Sequence, residues 1–510
     1  MNVSDIENFM AKVQKEETSS GNNIVGDLSD SETMRIGYNV ETMLDNFTGQ
    51  YHTGIYGDKL LSAGMYSSVL ITGRGNTIKS TTGLMLQTRV MERYPSSTGT
   101  VNDTEDSIVG IFRIEHLSAR IAPNLVKNRV FYDTNRYRIS NSSSEKEPTT
   151  TKWFDRLSER IRARMKKNVK SDYITTPFLD PMDESGKSPI KLLKLVIPFM
   201  DSMSKATIDL TQEVIDKAAT DSSDQNIVAA RESLIKGRMM REIPRLAGAG
   251  GSSWIITAHM GDKMQLMESG HVQSKLAFIN AKVTLKHAPE PVTFLTTYIL
   301  YSNHLKPLMN DTDKKSPMYP QPDEFGLSLE KDIDLMELHM MTLRSKVGLT
   351  GVEWCYVISQ TDGYFIPLSH FHFIKKYKFG LDGLGSQWLT LQLLPDVKLS
   401  RTTIFDKADT DYRVERALEI TTAIMIQLIT GNRELKRDFM KLGGLPQLYQ
   451  AIIDKGYDWE EIYKTREWWS EQHYTDEVKA LSAWDIIRMA TGDYVPYWKQ
   501  PNFDPKKHKE

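Results

Sequence analysis

A chain of 510 residues exceeds what one hydrophobic core usually serves, so two or three domains are expected. Hydrophobic residues at 40%, charged residues at 25% and a formal net charge of -2 exclude a global pull toward nucleic acid or membrane, so any polyanion site must be local. Cys355 is the only cysteine, which excludes an intramolecular disulfide and a Cys-based zinc site within one chain and fits a reducing cytoplasm.

Residues 1–33 are polar, lack the apolar stretch of a signal peptide and read as a flexible N-terminal arm. No uncharged apolar run reaches the ~18 residues of a membrane span, so a soluble, cytoplasmic protein without membrane contact is expected. The 24 methionines read as adaptable packing residues. Val69, Leu70 and Ile71 form a short β-type run, 73–80 is a Gly-containing loop, and 80–93 carries the apolar spacing of a helix closed by Tyr94 and Pro95. A second strand follows and ends at Glu105.

The segment at about 110–190 reads as an insertion, most linker-like at 140–151. Within it 153–170 predicts a basic helix, with Trp153, Phe154, Leu157, Ile161 and Met165 near one face and cations outward. The run 192–201 predicts a strand ending in Asp201, 252–259 another ending in His259, and 276–285 and 292–300 add strand-like runs. Alternation with helices at 80–93, 205–219 and 227–246 predicts an α/β core, with a mostly parallel sheet covered on both faces, over 34–329. From 330 to 510 the pattern predicts a mainly helical C-terminal domain, beginning with DIDLMELHMMTL. His370 and His372 alternate as on a strand, where packing is the better reading than a metal pair, and Trp459, Trp468 and Trp469 read as packing residues.

The loop Gly73-Arg74-Gly75-Asn76-Thr77-Ile78-Lys79-Ser80, followed by Thr81, sits where a phosphate-binding loop belongs. Backbone amides and the helix N-terminus can surround a β-phosphate, Lys79 can reach the β- and γ-phosphates, and Ser80 can ligate Mg2+. Glu105 can orient or deprotonate the attacking water, Asp201 can support the metal ion, and His259 can sense the γ-phosphate. Ile78 departs from the usual motif, which has glycine before the lysine.

The stretch LITGRGNTIKSTTGLMLQTRVMERYPSSTGTVNDTEDSI resembles the nucleotide-binding segment of the phage UvsX-type recombinases of the RecA family, a group with a bulky residue where Ile78 stands. Gly83, Tyr94-Pro95 and Asp103-Thr104-Glu105 fall at the family's spacing. IPFMDSMSKA at 197–206 is similar to the family's second acidic strand, and IITAHMGDK at 255–263 to its Asn-His strand, with Ala258 in place of asparagine. The likeness covers about 70–300 and departs in three ways: a longer interval between Glu105 and Asp201, a DNA-loop region at 264–281 without the family's glycines, and no recognisable pair of trans-acting cations. His304 and Lys306 are loose candidates for that pair.

The resemblance implies a RecA-like P-loop core and an ATP- and Mg2+-dependent DNA recombinase that forms a helical homo-oligomeric filament on single-stranded DNA. Lys263, His271 and Lys275 are then the candidate DNA contacts, and the host-cell cytoplasm is the expected location if the chain is viral. A hexameric ring helicase or motor ATPase, and a non-catalytic structural descendant of the fold, are the alternatives.

Overall fold

The structure, a computed structural model, describes residues 36–104, 135–141, 149–167, 169–179, 188–209, 222–262, 278, 283–310, 316–319, 334–360 and 362–508. Its centre is one ten-stranded sheet. Eight strands carry most of it: β1 (Ser68–Gly73), β2 (Thr98–Asp103), β3 (Tyr137–Asn141), β4 (Val196–Asp201), β5 (Trp254–Asp262), β6 (Tyr298–Pro307), β7 (Leu335–Ser345) and β8 (Glu353–Ser359). Their order is β8-β7-β6-β1-β5-β4-β2-β3. The six from β6 to β3 are mutually parallel, while β7 and β8 extend the sheet antiparallel.

Every residue of β1 is buried, as expected of a parallel strand covered on both faces. Its side chains divide with a period of two. Val69 and Ile71 join the core that holds Leu84 and Val90 of helix α2 (Lys79–Arg93). Leu70 joins the opposite core, built from α3 (Thr150–Lys167) and α4 (Ser222–Gly250) through Trp153, Phe154, Ile161, Met239 and Ile243. Trp254 of β5 is fully buried in that second core, its ring 5.3 Å from Phe154 and 6.0 Å from Trp153. The expected apolar face of the basic helix is therefore the one that docks. Part of its cationic face is also engaged internally, because Arg162 pairs with Glu242 of α4 and Arg164 donates to the Lys194 carbonyl.

Several expected elements differ. Within DIDLMELHMMTL, residues 334–343 are not helical. Residues 335–345 form β7, in which buried Leu338, Met340 and Thr342 alternate with half-buried Glu337, His339 and Met341. The main sheet thus continues past residue 330. The run 192–201 is broken at Lys194-Leu195, so that Pro189–Leu193 pairs with Tyr173–Leu179 and only Val196–Asp201 enters the main sheet. Pro291 initiates a helical turn at Val292–Leu295, which delays β6 until Tyr298. Of 205–219, a 3-10 turn spans Met203–Lys205 and 210–221 lie outside the described residues; of 276–285, Val283–Leu285 is a strand beside β5.

Helical structure dominates from α5 (Ile366–Tyr377) onward, with a small antiparallel sheet at 381–399. Helix α6 (Tyr412–Thr430) packs on α5 and on α1 (Thr42–Thr48), and one continuous core runs from Ile36 through the β1–α2 layer to Tyr494. The hairpin Gln50–Thr53/Lys59–Ser62 is sewn to the far end of the chain. Both carboxylate oxygens of Asp485 accept from the Lys59 amide, Tyr474 Oη accepts from the Ile55 amide, and Gln500 donates to the Tyr56 carbonyl. Among the described residues, no helix is long and apolar enough to cross a membrane.

Candidate functional site

The C-terminal edge of the parallel strands gathers most of the expected site. Gly73, the last residue of β1, stands in register with His259 on β5 and Ser302 on β6. A β-carbon on Gly73 would lie 2.5 Å from the Ser302 carbonyl oxygen, so the close approach of these strands requires glycine there. The loop then rises into solvent at Arg74, Gly75 and Asn76 and returns with Thr77 and Lys79 buried.

Three contacts hold the loop. Thr77 Oγ1 donates to the Arg74 carbonyl at 2.9 Å, Lys79 Nζ donates to the same oxygen at 2.6 Å, and Ser302 Oγ donates to the Thr77 carbonyl at 2.5 Å. Asn76 and Ile78 have φ of 57° and 56°, and Ile78 is in the left-handed region with ψ of 29°. Glycine would adopt that conformation without strain, which gives a physical reason for glycine at this position in the common motif. Here a β-branched side chain occupies it and packs partly against the core. As N-cap, Ile78 makes no side-chain hydrogen bond to the first turn of α2, the end of a helix that favours anions. Ser80 and Thr81 sit half-buried in the first turn. Gly83 lies where α2 crosses β4, its would-be β-carbon only 2.3 Å from the Phe199 ring.

Asp201 ends β4 at the same edge, 2% exposed, and its Oδ1 accepts from Thr257 Oγ1 of β5 at 2.5 Å. Asp103 is directly in register with it on β2 and is fully buried. Thr104 stitches the two strand ends together: its amide and hydroxyl donate to the Asp201 carbonyl, and Ser202 N donates to Thr104 Oγ1. The backbone leading to Glu105 is thereby fixed beside Asp201, while Glu105 lies outside the described residues, as do Lys263, His271 and Lys275. His259 is half-buried, and its amide donates to Ser204 Oγ. Arg74 reaches across the mouth to Asp262 at 3.2 Å, an exposed pair worth little in stability.

The site thus brings together Gly73, Thr77, Ile78, Lys79, Ser80, Asp201 and His259 on three neighbouring strands and one helix N-terminus. It can hold a polyanion against uncapped amides and an ammonium, with buried carboxylates close by for a cation. The sequence assigns no role to Asp103, which it shows only as part of the Asp103-Thr104-Glu105 triplet, nor to Thr257 or Ser302. Asp103 could have been found from the strand alternation in Thr98–Asp103, whereas the Ser302–Thr77 bond spans 225 residues and leaves no local signal.

The remaining candidates are engaged elsewhere. Lys306 pairs with Glu337 at 3.0 Å, and the His304 ring stacks on His339. The expected strand at His370 and His372 is corrected to helix α5, which Pro367 opens, so residues two apart point to different sides. His370 Nε2 meets buried Glu41 at 3.1 Å, and His372 Nε2 meets Tyr319 Oη at 2.7 Å. Trp459 stacks on Tyr449, Trp469 is fully buried against Tyr94 and Phe178, and Trp468 lies under the guanidinium groups of Arg93 and Arg466. No protein-family model matches the chain, and no curated protein matches it either.

Proposed function

We propose that the chain is a UvsX-like, ATP-dependent DNA recombinase with a RecA-type P-loop core, which assembles as a homo-oligomeric filament on single-stranded DNA. The observation that carries this reading is the junction of β1 and α2: an uncapped helix N-terminus, Lys79 folded back onto the loop, and buried Asp201 at the same sheet edge. In this reading Lys79 leaves the Arg74 carbonyl for the β- and γ-phosphates, and the loop amides from Gly73 to Thr81 surround them. Ser80 and Asp201 hold Mg2+, which neutralises phosphate charge. Glu105 positions the attacking water, and His259 responds to the γ-phosphate. Lys263, His271 and Lys275 contact DNA phosphates, giving salt-sensitive binding despite the near-neutral net charge.

Steady-state ATP hydrolysis with and without single-stranded DNA tests the reading. DNA should stimulate turnover, and Lys79→Ala should abolish it; equal rates for wild type and variant would remove the assigned site. Electron microscopy with nucleotide and DNA tests the assembly. Extended filaments support the recombinase, and closed hexamers would replace it with a ring motor.

A further inference from the structure

The antiparallel extension of the sheet carries donor side chains in a register that the nucleotide reading does not use. His304 of β6 stands opposite His339 of β7, and His339 opposite Cys355 of β8; in the adjacent position on the same face, Lys306 stands opposite Glu337. Cys355 Sγ lies 3.2 Å from His339 Nδ1, and Glu337 Oε1 lies 3.2 Å from His339 Nε2. That Nε2 is buried and, though close to the carboxylate, is not aligned for a hydrogen bond with it. One donor atom from each of Glu337, His339 and Cys355 falls within 4.8 Å of the others.

We propose that Glu337, His339 and Cys355 form a binding site for a zinc-class divalent transition-metal ion. Tetrahedral coordination with bonds of about 2.0–2.3 Å places ligand atoms roughly 3.3–3.8 Å apart, so the three groups, within 4.8 Å of one another, must close in around one nitrogen of His339. One thiolate, one imidazole and one carboxylate suit Zn2+ or Co2+, whereas Mg2+ and Ca2+ prefer all-oxygen shells. The single cysteine, which rules out a site built on several thiolates, is sufficient for this mixed set. The carboxylate is divided between two tasks: Oε2 meets Lys306 at 3.0 Å, and Oε1 faces the imidazole. His304, exposed and stacked at 3.9 Å on His339, or a solvent molecule, completes the shell.

Glu337 and Cys355 also line an open cavity with Lys306, Met309 and His372, so an ion has a route in. Binding costs the thiol proton, which burial and the neighbouring Glu337 hold firmly, pushing the Cys355 thiol up to about 12 in the ion-free chain. The metal–sulfur bond forms as that proton passes to solvent. The site stands on β7 and β8, beside His304, which lies on β6 two residues beyond Ser302, but its existence does not depend on what the nucleotide loop binds.

Titration of the full-length, chelator-treated protein with Co2+ tests the proposal. The expected result is one equivalent bound with intense visible bands of tetrahedral Co2+ and a near-ultraviolet sulfur-to-cobalt charge-transfer band, both removed by Zn2+. Because Cys355 is the only cysteine, that band reports this site alone. Cys355→Ser should abolish it, and His339→Ala and Glu337→Gln should each weaken Co2+ binding at least tenfold. Lys79→Ala should titrate like wild type. Unchanged circular dichroism verifies that each variant is folded. A wild-type spectrum with only weak octahedral bands, or His339→Ala and Glu337→Gln variants that titrate like wild type, would overturn the site.

Discussion

Replacing Ile78 by alanine and by glycine probes the β1–α2 loop through its backbone rather than its chemistry. Ile78 holds φ of 56° and ψ of 29°, a conformation that costs an L-residue about 1–2 kcal/mol and glycine almost nothing. Both substitutions lose nearly the same packing, since they differ by one methyl group. Glycine carries its own penalty of about 0.5–1 kcal/mol from the freedom it has in the unfolded chain. The balance favours Ile78→Gly over Ile78→Ala by about 0.5–1 kcal/mol, the reverse of the order found at ordinary helical positions. In a chain this long such a difference moves the melting temperature by only about 1 °C, so a local readout is needed. The Thr82 amide donates to the Ile78 carbonyl at 2.9 Å, and its hydrogen-exchange protection reports the opening of this turn. Protection about two- to five-fold higher in Ile78→Gly than in Ile78→Ala is expected. Equal protection, or higher protection in the alanine variant, would refute the left-handed conformation and the explanation of the altered motif built on it.

On the proposed function, Glu105→Gln should bind ATP yet hydrolyse it far more slowly, measured by nucleotide binding alongside turnover; normal hydrolysis would place the base elsewhere. Gly83→Ala should destabilise by about 1–3 kcal/mol, because its β-carbon meets the Phe199 ring, and Phe199→Leu in the same chain should recover part of that loss in chemical denaturation. Arg416 is buried among Glu419, Glu467 and the Leu481 carbonyl, so Arg416→Met, which leaves those acceptors behind, should cost about 3–5 kcal/mol by the same measurement. Burial pushes the Glu467 carboxyl from 4.5 up to about 7. A raised acid stabilises the fold fully below its unfolded value and loses that contribution as pH rises through the folded one. The melting temperature of wild type should therefore fall more between pH 5 and pH 8 than that of Glu467→Gln; parallel curves would show that Glu467 does not titrate there.

The parts legible in the sequence were those with a local cause. The β1-loop-α2 unit announces itself through a short apolar run, glycines and a closing Tyr94-Pro95, and the docking face of the basic helix through Trp153, Phe154 and Ile161 at helical spacing. β7 was missed because Leu335, Leu338, Met340 and Leu343 satisfy helical spacing nearly as well as alternation, and leucine and methionine are good helix formers. The histidines of α5 misled in the opposite sense, since two residues separated by one fit a strand until Pro367 is recognised as a helix opener. What no local pattern contains is register: Asp103 beside Asp201, Ser302 on Thr77, and Glu41 on His370 join residues 98, 225 and 329 positions apart or nearly so. Those pairings, rather than the loop itself, decide which groups surround the site.

The hairpin near the start of the described chain has a consequence for biosynthesis. The Ile55 amide is shared between the Pro177 carbonyl and Tyr474, and the Tyr56 carbonyl accepts from Gln500; Tyr474 and Gln500 follow their partners by 419 and 444 residues. At about 5–20 residues per second, a ribosome needs roughly 20–80 s to deliver Tyr474 after Ile55. Throughout that interval the nascent hairpin lacks its C-terminal partners, and its docking on the C-terminal segment must await the last part of translation. Chaperone occupancy on stalled nascent chains should accordingly persist near this hairpin until the C-terminal segment emerges.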